Sequence, residues 1–379
     1  MPHKPESAPH PTTLRAVRAA LLDHYDRHAR DLPWRRTRDP YAIWVSEIML
    51  QQTRVDTVLR YYDRFLERFP NLGSLARAEE DAVLAAWSGL GYYRRARLLH
   101  AGVREVVARY GGEVPEGAEA RRSLPGIGRY TAGAIGSIAF DRQEPLVDGN
   151  VARVFARIFA LDTPITRSDT QAVLWALAEQ LVVGERPGAL NQALMELGAL
   201  TCTKAAPSCT ACPVQTHCRA HETGRARELP VVVKKRPPAR RQLVAVLAQD
   251  QAAERLLLLR SETGLFAGLW NLPMAEGHDR EAARALLGTL GVRARLDPQP
   301  VAELEHVLTH RHLMIQLFRA RLSSFDARDS LRLQPRTELE QLGVSALTRK
   351  ALGFWPEPAA QVTRVTRAPK TLASAKRAE

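Results

Sequence analysis

Long apolar runs are absent from this chain of 379 residues, and none approaches the roughly 20 residues of a membrane-spanning helix. The first 13 residues are polar and rich in proline and histidine, without the apolar core of a signal peptide. We therefore expect a cytosolic protein that has no membrane partner.

Cysteine is also scarce, with four in the chain, in the pattern C-x6-C-x2-C-x5-C. In a cytosolic protein such clustering favours metal binding over disulfides. Four thiolates so close in sequence can ligate either a tetrahedral zinc ion or an iron–sulfur cluster, and the spacing does not decide between them. No cysteine is left over as a redox partner, so a structural role is favoured. The four are Cys202, Cys209, Cys212 and Cys218.

Acidic residues are fewer than basic residues in this chain. It has 41 Asp and Glu and 54 Lys and Arg, which gives a net charge of +13. This excess favours a polyanionic partner, with nucleic acid first and an anionic membrane surface second. Apolar residues make up 45% and charged residues 25% of the chain, as in soluble globular proteins. The chain is longer than a domain with a single hydrophobic core usually is, so two or more domains are expected.

Before residue 230, apolar and polar residues do not alternate as they do in β-strands. The apolar residues recur instead at the spacing of three and four that is typical of helices. Leu14, Val17 and Leu21 begin the first amphipathic pattern, with Thr12 or Thr13 as a possible N-cap. Residues 14–221 are therefore predicted to form an all-α domain, which includes the cysteine loop 202–218.

The second half has the pattern of a smaller α+β domain, over residues 242–355. Strands are predicted at Leu243–Gln249, Arg255–Arg260, Val301–Val307 and Leu313–Leu322, and a helix at Glu281–Leu290.

Three further segments do not fit either domain. Residues 222–241 are rich in proline and basic residues, and this composition predicts a linker between the two domains. The linker either lies along the phosphate backbone of a nucleic acid or is a solvated connector that makes no such contact. Residues 1–13 and the basic tail 356–379 are predicted to be disordered.

The stretch Leu124–Asn150 has the most distinctive local chemistry. Gly126 and Gly128 can adopt positive φ, and they expose backbone N–H groups just before a helix that begins near Arg129. Such a turn with the positive end of a helix dipole suits a phosphate group. Asp148 lies near the end of the stretch among small and apolar residues.

A second isolated carboxylate, Glu47, is the only acid in an apolar run. If Glu47 is buried, its raised pKa would make it a general acid near neutral pH, although a core ion pair would give the same pattern. Asp148 is equally compatible with an ordinary helix N-cap. Together they resemble the acid and nucleophile that break a glycosidic bond.

Two turns combine polar, apolar and aromatic residues, at Gln51-Gln52-Thr53 and at Gly89-Leu90-Gly91-Tyr92-Tyr93. Proteins that extrude a base from DNA need such wedges, although packing alone would also account for the tyrosines. His306, His310 and His312 alternate along a predicted strand, and we interpret them as surface or groove histidines rather than as metal ligands.

These motifs, in this order, resemble the adenine DNA glycosylase (MutY) family of the helix-hairpin-helix superfamily, from about Leu32 to about Leu352. The resemblance implies an all-α helix-hairpin-helix glycosylase domain with one [4Fe–4S] cluster on the four cysteines, and then a Nudix-like domain. The motifs are Leu32-Pro-Trp-Arg35, Trp44-Val-Ser-Glu-Ile-Met-Leu-Gln-Gln-Thr53, Gly89-Leu-Gly-Tyr-Tyr-Arg-Arg-Ala-Arg97, Leu124-Pro-Gly-Ile-Gly128, Val147-Asp-Gly-Asn150 and the cysteine spacing.

The resemblance also implies an activity and its residues. The enzyme would remove adenine paired with 8-oxoguanine or guanine in duplex DNA, as a monomer in a bacterial cytosol or nucleoid. Glu47 would protonate adenine N7, and Asp148 would stabilise the oxocarbenium-like sugar. Tyr130 and Asn150 would form hydrogen bonds around Asp148, and Arg35 would line the adenine pocket. The residues implied to hold the space around 8-oxoguanine are Gln52, Thr53, Leu90 and Tyr92.

The second domain departs from the related patterns at two places. Ala283 stands where a hydrolytic Nudix box has its first glutamate after Gly277, so metal-dependent pyrophosphohydrolysis is not expected. The family's Phe-Ser-His loop, which reads 8-oxoguanine, corresponds here to Leu308-Thr309-His310. The hydroxyl and the histidine are kept, and the aromatic ring is lost.

Two alternatives compete with this interpretation. The endonuclease III family shares the hairpin and the cysteine spacing, but it carries a catalytic lysine at the position of Tyr130 and lacks the second domain. A non-catalytic DNA-binding module would need neither Glu47 nor Asp148.

Overall fold

The computed structural model describes residues 10–233, 237–260, 262–308 and 310–356. The chain divides into two compact units, a helical unit up to Pro237 that also takes in Glu340–Ala346, and a mixed unit of Pro238–Leu339 with the residues from Leu347. Residues 1–9, the basic residues 234–236 and the tail 357–379 lie outside the described residues.

The helical unit contains twelve α-helices among the described residues, and they alternate with short connections. They are α1 Pro11–His28, α2 Pro40–Leu50, α3 Val55–Arg68, α4 Leu72–Arg77, α5 Glu80–Ala86, α6 Arg94–Tyr110, α7 Ala118–Arg122, α8 Arg129–Phe140, α9 Gly149–Ile158, α10 Ser168–Val182, α11 Pro187–Leu200 and α12 Arg219–Glu222.

The start of α1 differs from the sequence-based prediction. The N-cap is His10, whose side chain accepts from the backbone N–H of Thr12, and Pro11 takes the first helical position. Thr12 and Thr13 therefore lie inside the first turn. Proline favours this position because its missing N–H would have no helical partner there.

Large aromatic side chains fill the interior of the helical unit. Trp44, Phe65, Trp87 and Phe155 are each fully buried. Edge-to-face contacts link two of them, with 5.8 Å between the ring centroids of Phe65 and Trp87. This interior fixes α2 along its whole length, since every residue from Tyr41 to Met49 is buried.

The mixed unit is built on one sheet in which β1 and β7 form a long parallel pair, from Ala239 opposite Arg311 to Gln249 opposite Arg321. The described strands are β1 Ala239–Gln249, β2 Arg255–Arg260, β3 Trp270–Asn271, β4 Met274–Glu276, β5 Arg293–Leu296, β6 Ala302–Val307, β7 Arg311–Ser324 and β8 Leu331–Pro335.

Two helices complete the mixed unit, α13 Arg280–Thr289 and α14 Ala346–Leu352. Ala283 and Leu287 of α13 pack against the sheet residues Val244, Val246 and Phe318. The all-α unit followed by a smaller α+β unit confirms the predicted fold class. Within the described ranges, no helix is both long and apolar enough to cross a bilayer.

Candidate active site

Glu47 lies near the C-terminal end of α2 and is only 4% exposed. The helix begins where Asp39 caps the N–H of Tyr41 and Pro40 takes the first position. Burial raises the pKa of Glu47 to about 7, the Asp148 carboxylate also raises it, and the Tyr130 hydrogen bond and the Arg35 charge oppose the rise. The protonated form is therefore populated near neutral pH.

Tyr130, in the first turn of α8, is the direct partner of Glu47. Its hydroxyl donates to Glu47 Oε2 at 2.6 Å and lies 3.3 Å from the sulfur of Met195. Burial raises the pKa of Tyr130 well above its usual value, so the hydroxyl keeps its proton. The sequence-based expectation placed this hydrogen bond at Asp148, and the structure places it at Glu47 instead.

Asp148 is the N-cap of α9, and its Oδ1 accepts from the N–H of Val151 at 2.7 Å. The Asn150 side-chain amide donates to the other oxygen, Oδ2, at 2.9 Å. Burial raises the pKa of Asp148, and these hydrogen bonds act against the rise. Asp148 is thus both a helix cap and a half-buried carboxylate with a raised pKa, so the two interpretations of this residue are compatible.

Asn150 is itself fixed from two sides. Its Oδ1 accepts from Arg153 at 2.8 Å. Helix α11 approaches closely at Gly198, where a Cβ atom would lie 2.6 Å from the Cβ of Asn150. The amide is therefore oriented before any substrate binds.

Arg35 lies in a 3-10 turn and is engaged by an ion pair. Its guanidinium donates to Glu196 at 3.1 and 2.7 Å, and Arg30 binds the same carboxylate. Burial acts to raise the pKa of Glu196, but the hydrogen bonds from Arg30 and Arg35 lower it to about 2. The charge of Arg35 also acts on Glu47, so Arg35 lies at the same site.

The predicted wedge residues differ in exposure. Tyr92 is 50% exposed and Gln52 is exposed, whereas Leu90 is only 5% exposed. Thr53 is half-buried, and its hydroxyl accepts from Arg95 at 3.1 Å. Tyr92 and Gln52 are therefore the side chains that reach solvent, while Leu90 packs in the interior.

The glycine turn before α8 has one glycine at positive φ rather than two. Gly126 has φ 78°, and a Cβ there would lie 2.8 Å from the Cβ of Leu98. Gly128 has φ −88° and serves as the N-cap, so the prediction of positive φ is wrong for Gly128. A Cβ at Gly128 would meet no described atom within 4 Å, which leaves the backbone accessible at the start of α8.

The four cysteines line one small cavity after α11. Burial raises the pKa of Cys212 to about 11, with the other three cysteines adding to the rise. Arg157 is buried against this loop, and its Nη1 lies 3.2 Å from the sulfur of Cys202.

The distances between the cysteine sulfur atoms determine which metal group the four residues can ligate. Thiolates on one zinc ion at about 2.3 Å would lie roughly 3.8 Å apart. Among the described residues, no three His, Cys, Asp or Glu side chains converge on a single-ion site. The four cysteines supply the thiolate donors that either an iron–sulfur cluster or a zinc ion takes.

In the mixed unit, the turn between β6 and β7 contains Leu308 and His310, and His310 is exposed. Thr309 lies outside the described residues. Of the neighbouring histidines, His306 stacks edge-on with Phe266 at 5.8 Å, and His312 lies 3.4 Å from a carboxylate oxygen of Glu305.

Comparison with known proteins accounts for both units. A model of HhH-GPD superfamily base excision DNA repair proteins matches residues 45–180, and a NUDIX domain model matches residues 243–353. The adenine DNA glycosylase of Rattus norvegicus is 41% identical over 360 residues, which cover 80% of this chain and 70% of the relative. The adenine DNA glycosylase of Homo sapiens is 38% identical, with 80% and 66% covered.

The chain belongs to the adenine DNA glycosylase family.

A solved structure supports the fold of this family member's helical unit. A thermostable thymine-DNA glycosylase is similar with a TM-score of 0.51 and 30% identity, and the match covers 56% of this chain and 98% of that one. The chain is therefore a base excision DNA glycosylase whose helical unit has the fold of other glycosylases.

Several residues that shape the site were not predicted from the sequence of this glycosylase. Glu196 and Met195 lie on α11, and Arg153 lies one turn after Asn150. Arg95 lies on α6, within the motif Gly89–Arg97, but the sequence assigned no role to it. Glu196 and Met195 act on Arg35 and Tyr130, which are distant in sequence, so no local motif marks them.

Proposed function

We propose that this chain excises adenine from duplex DNA in which adenine is paired with 8-oxoguanine or guanine, by hydrolysis of the N-glycosidic bond. The single observation that carries the proposal is the coupled pair of carboxylates, the buried Glu47 and the half-buried Asp148. The pKa of Glu47 is about 7. The negative charge of Asp148, which is the N-cap of α9, contributes to this raised pKa. Such a pair can serve as proton donor and as partner of a cationic sugar.

In this mechanism, flipping the adenine out of the stack exposes N7 to the protonated Glu47. Proton transfer to N7 makes adenine a neutral leaving group when the bond between C1′ and the base breaks. The hydrogen bond from Tyr130 stabilises the carboxylate that remains after transfer. Flipping a base costs a few kcal/mol, and pocket and wedge contacts offset that cost.

Asp148 then faces the electron-deficient C1′ as a carboxylate. Either it stabilises the oxocarbenium-like sugar electrostatically or its oxygen bonds to C1′ transiently, until water replaces it and leaves an abasic site. The N–H of Val151 and the amide of Asn150 hold its two oxygens, so little reorganisation accompanies the reaction.

We further propose that the chain is a monofunctional glycosylase. Position 130 is tyrosine, and its hydroxyl is committed to Glu47. A lysine amine at this position would attack C1′ to form a Schiff base and lead to strand cleavage. The tyrosine removes that nucleophile.

The cysteine loop is proposed to hold one [4Fe–4S] cluster. The four cysteines would ligate it, and Arg157 would donate to the sulfur of Cys202 beside it. Bound there, the cluster would cross-link the loop that follows α11 and would take no part in bond cleavage. Iron analysis of the purified protein should find about four irons per chain, and zinc without iron would contradict the assignment.

The duplex is proposed to bind with one phosphate at the N–H groups of the first turn of α8, from Gly128 onward, because the N–H of Ile127 already donates to the carbonyl oxygen of Leu124 at 3.2 Å. No described side chain caps the start of α8, so these donors remain available to the phosphate. Leu308, Thr309 and His310 of the mixed unit are proposed to contact 8-oxoguanine, although the family's aromatic is replaced by Leu308.

A substrate panel tests this proposal. Duplexes that carry adenine opposite 8-oxoguanine, guanine or cytosine, and duplexes with an oxidised pyrimidine, are incubated with the protein and analysed with and without alkali. We expect release of adenine opposite 8-oxoguanine and guanine, with strand breaks only after alkali. Cleavage of the oxidised-pyrimidine duplex without alkali would support the endonuclease III alternative instead.

A further inference from the structure

Arg95 on α6 binds the exposed end of the helix that carries Glu47. The last carbonyl groups of an α-helix have no partner within the helix. Nη1 of Arg95 donates to the carbonyl oxygens of Ile48 at 2.7 Å, Met49 at 2.9 Å and Gln51 at 2.5 Å. One positively charged group thus caps the C-terminal end of α2, where the helix dipole is negative.

The other terminal nitrogen of Arg95 reaches a different segment. Nη2 donates to the hydroxyl of Thr53 at 3.1 Å and to the carbonyl oxygens of Leu90 at 3.2 Å and Gly91 at 3.1 Å. The guanidinium therefore joins the segment after α2 to the turn before α6. Arginine is suited to this because its planar fork presents donors in two fixed directions.

Each of the two joined segments contains a residue with an unusual backbone. Gln52 has φ 59° and Tyr92 has φ 47°, values that non-glycine residues adopt at a cost of roughly 1–3 kcal/mol. Both side chains are exposed to solvent. Such conformations persist only where the surrounding contacts enforce them, and the contacts of Arg95 lie directly beside both residues.

Arg95 also contacts one of these side chains directly. Its guanidinium carbon lies 5.6 Å from the centroid of the Tyr92 ring and 5.5 Å from that of the buried Trp87. These distances are those of cation–π contacts. Burial lowers the pKa of Arg95 to about 10, so the group keeps its charge at neutral pH.

We propose that Arg95 is a positioning residue that holds Gln52 and Tyr92 together as one preformed reader of the mispair. This inference rests on the proposed function. In the free protein, Arg95 fixes the positions of the segments that carry Gln52 and Tyr92. The conformational entropy of these two residues is therefore lost when the protein folds, and its loss does not weaken DNA binding. The specific partner is a duplex whose base stack is opened at the mispair, because the two side chains then fill the opening.

The test compares Arg95→Lys with a matched control on the same helix, Arg104→Lys. Arg104 also donates to backbone carbonyls, those of Ala76 at 3.0 Å and Ala78 at 3.1 Å, but it is remote from both segments. For each protein we measure the unfolding temperature and the dissociation constants for a duplex with adenine opposite 8-oxoguanine and for an undamaged duplex.

We expect Arg95→Lys to reduce the preference for the mispaired duplex by about tenfold, because lysine cannot bind both segments in a fixed geometry. Affinity for undamaged DNA should stay within about twofold, since phosphate contacts dominate it. Arg104→Lys should keep the wild-type preference. An unchanged preference in Arg95→Lys would overturn the proposal, as would an equal loss of affinity for both duplexes.

A double-mutant cycle separates positioning from general stability. If Arg95 acts through Gln52 and Tyr92, then Arg95→Lys should have little further effect on the preference in a Gln52→Ala, Tyr92→Ala background. A full additional tenfold loss in that background would contradict the proposal. If Arg95→Lys does not fold, Arg95→Gln, whose amide can donate to one segment only, is measured in the same way. Failure of the wild-type protein to release adenine would contradict the proposed function instead.

Discussion

At the scale of single residues, the site depends on one carboxyl group that is kept out of water. Glu47 is 4% exposed, and burial raises its pKa to about 7. An unperturbed glutamate, with a pKa of about 4.3, would hold almost no proton at neutral pH. The proposed role of Glu47 as a general acid at neutral pH requires a pKa raised in this way.

The hydrogen bond from Tyr130 opposes the rise that burial causes in the pKa of Glu47. It favours the ionised form of Glu47 and therefore lowers the pKa. In Tyr130→Phe the pKa of Glu47 should rise, so its protonated form should persist to higher pH. We predict that the alkaline limb of single-turnover adenine excision, near pH 7 in the wild-type protein, moves to higher pH in this variant.

Tyr110→Phe is the matched control, because the Tyr110 ring lies against Arg109 on α6, away from both carboxylates. Its pH–rate profile should match the wild-type profile. An alkaline limb that stays in place in Tyr130→Phe would show that the hydrogen bond does not tune the acid.

The sequence singles out candidate catalytic residues more readily than it predicts how their side chains pair. Glu47 could be singled out because it is the only acid in an apolar run, and Asp148 because small residues surround it. The bond between Tyr130 and Glu47 joins residues 83 positions apart, and no local pattern encodes it. The backbone of Gly128 was also mispredicted, because glycine permits extended and left-handed conformations equally.

At the scale of elements, the position of Asp148 depends on how closely α11 packs against α9. The contact occurs at Gly198, beside Asn150. Arg153 binds Asn150 at 2.8 Å and the carbonyl oxygen of Gly198 at 2.5 Å, so it joins the two helices at the same point. The orientation of the Asn150 amide toward Asp148 follows from this packing.

Gly198→Ala should disturb that contact. The new Cβ would lie 2.6 Å from the Cβ of Asn150, so α9 must shift. Overpacking of this kind costs roughly 1–3 kcal/mol. We predict a lower unfolding temperature and slower adenine excision, measured by thermal unfolding and single-turnover kinetics.

Gly149→Ala on α9 provides the control for stability, because a Cβ there would meet no described atom within 4 Å. Its unfolding temperature should not fall, since alanine favours the helix. Equal unfolding temperatures for Gly198→Ala and the wild-type protein would contradict the packing argument.

Elements are predictable from the sequence where their patterns are long. The strands that became β2, β6 and β7 were predicted close to their observed bounds, whereas β1 begins at Ala239, inside the segment predicted to be a linker. The short strands β3 and β4 and the strands β5 and β8 were missed, because two to five residues cannot establish a period. No role was predicted for Arg95, because all of its acceptors except the Thr53 hydroxyl are backbone carbonyl oxygens, which any sequence supplies.

At the scale of the whole molecule, charge and domain organisation point to DNA. The net charge of +13 favours a polyanion, and the family places a base excision domain before a NUDIX domain. Glu47 and Asp148 lie in the helical unit, and Leu308 and His310 lie in the mixed unit.

We predict that affinity for duplex DNA falls steeply and linearly on a plot of log K against log salt concentration. Each basic side chain that neutralises a phosphate releases bound counterions, which gives a slope of about −0.9 per contact. Fluorescence anisotropy with an undamaged duplex over a range of salt concentrations measures the slope. A flat response would rule out a phosphate-dominated interface.

The most direct test of the account is Glu47→Gln with a duplex that carries adenine opposite 8-oxoguanine. Glutamine keeps the size of the side chain and an oxygen that can accept from Tyr130, but it cannot transfer a proton to N7 at neutral pH. We predict that the variant binds this duplex within a few-fold of wild-type affinity and releases no free adenine in single-turnover assays. Adenine release at the wild-type rate would contradict the assignment of Glu47 as the acid, and with it the proposed mechanism.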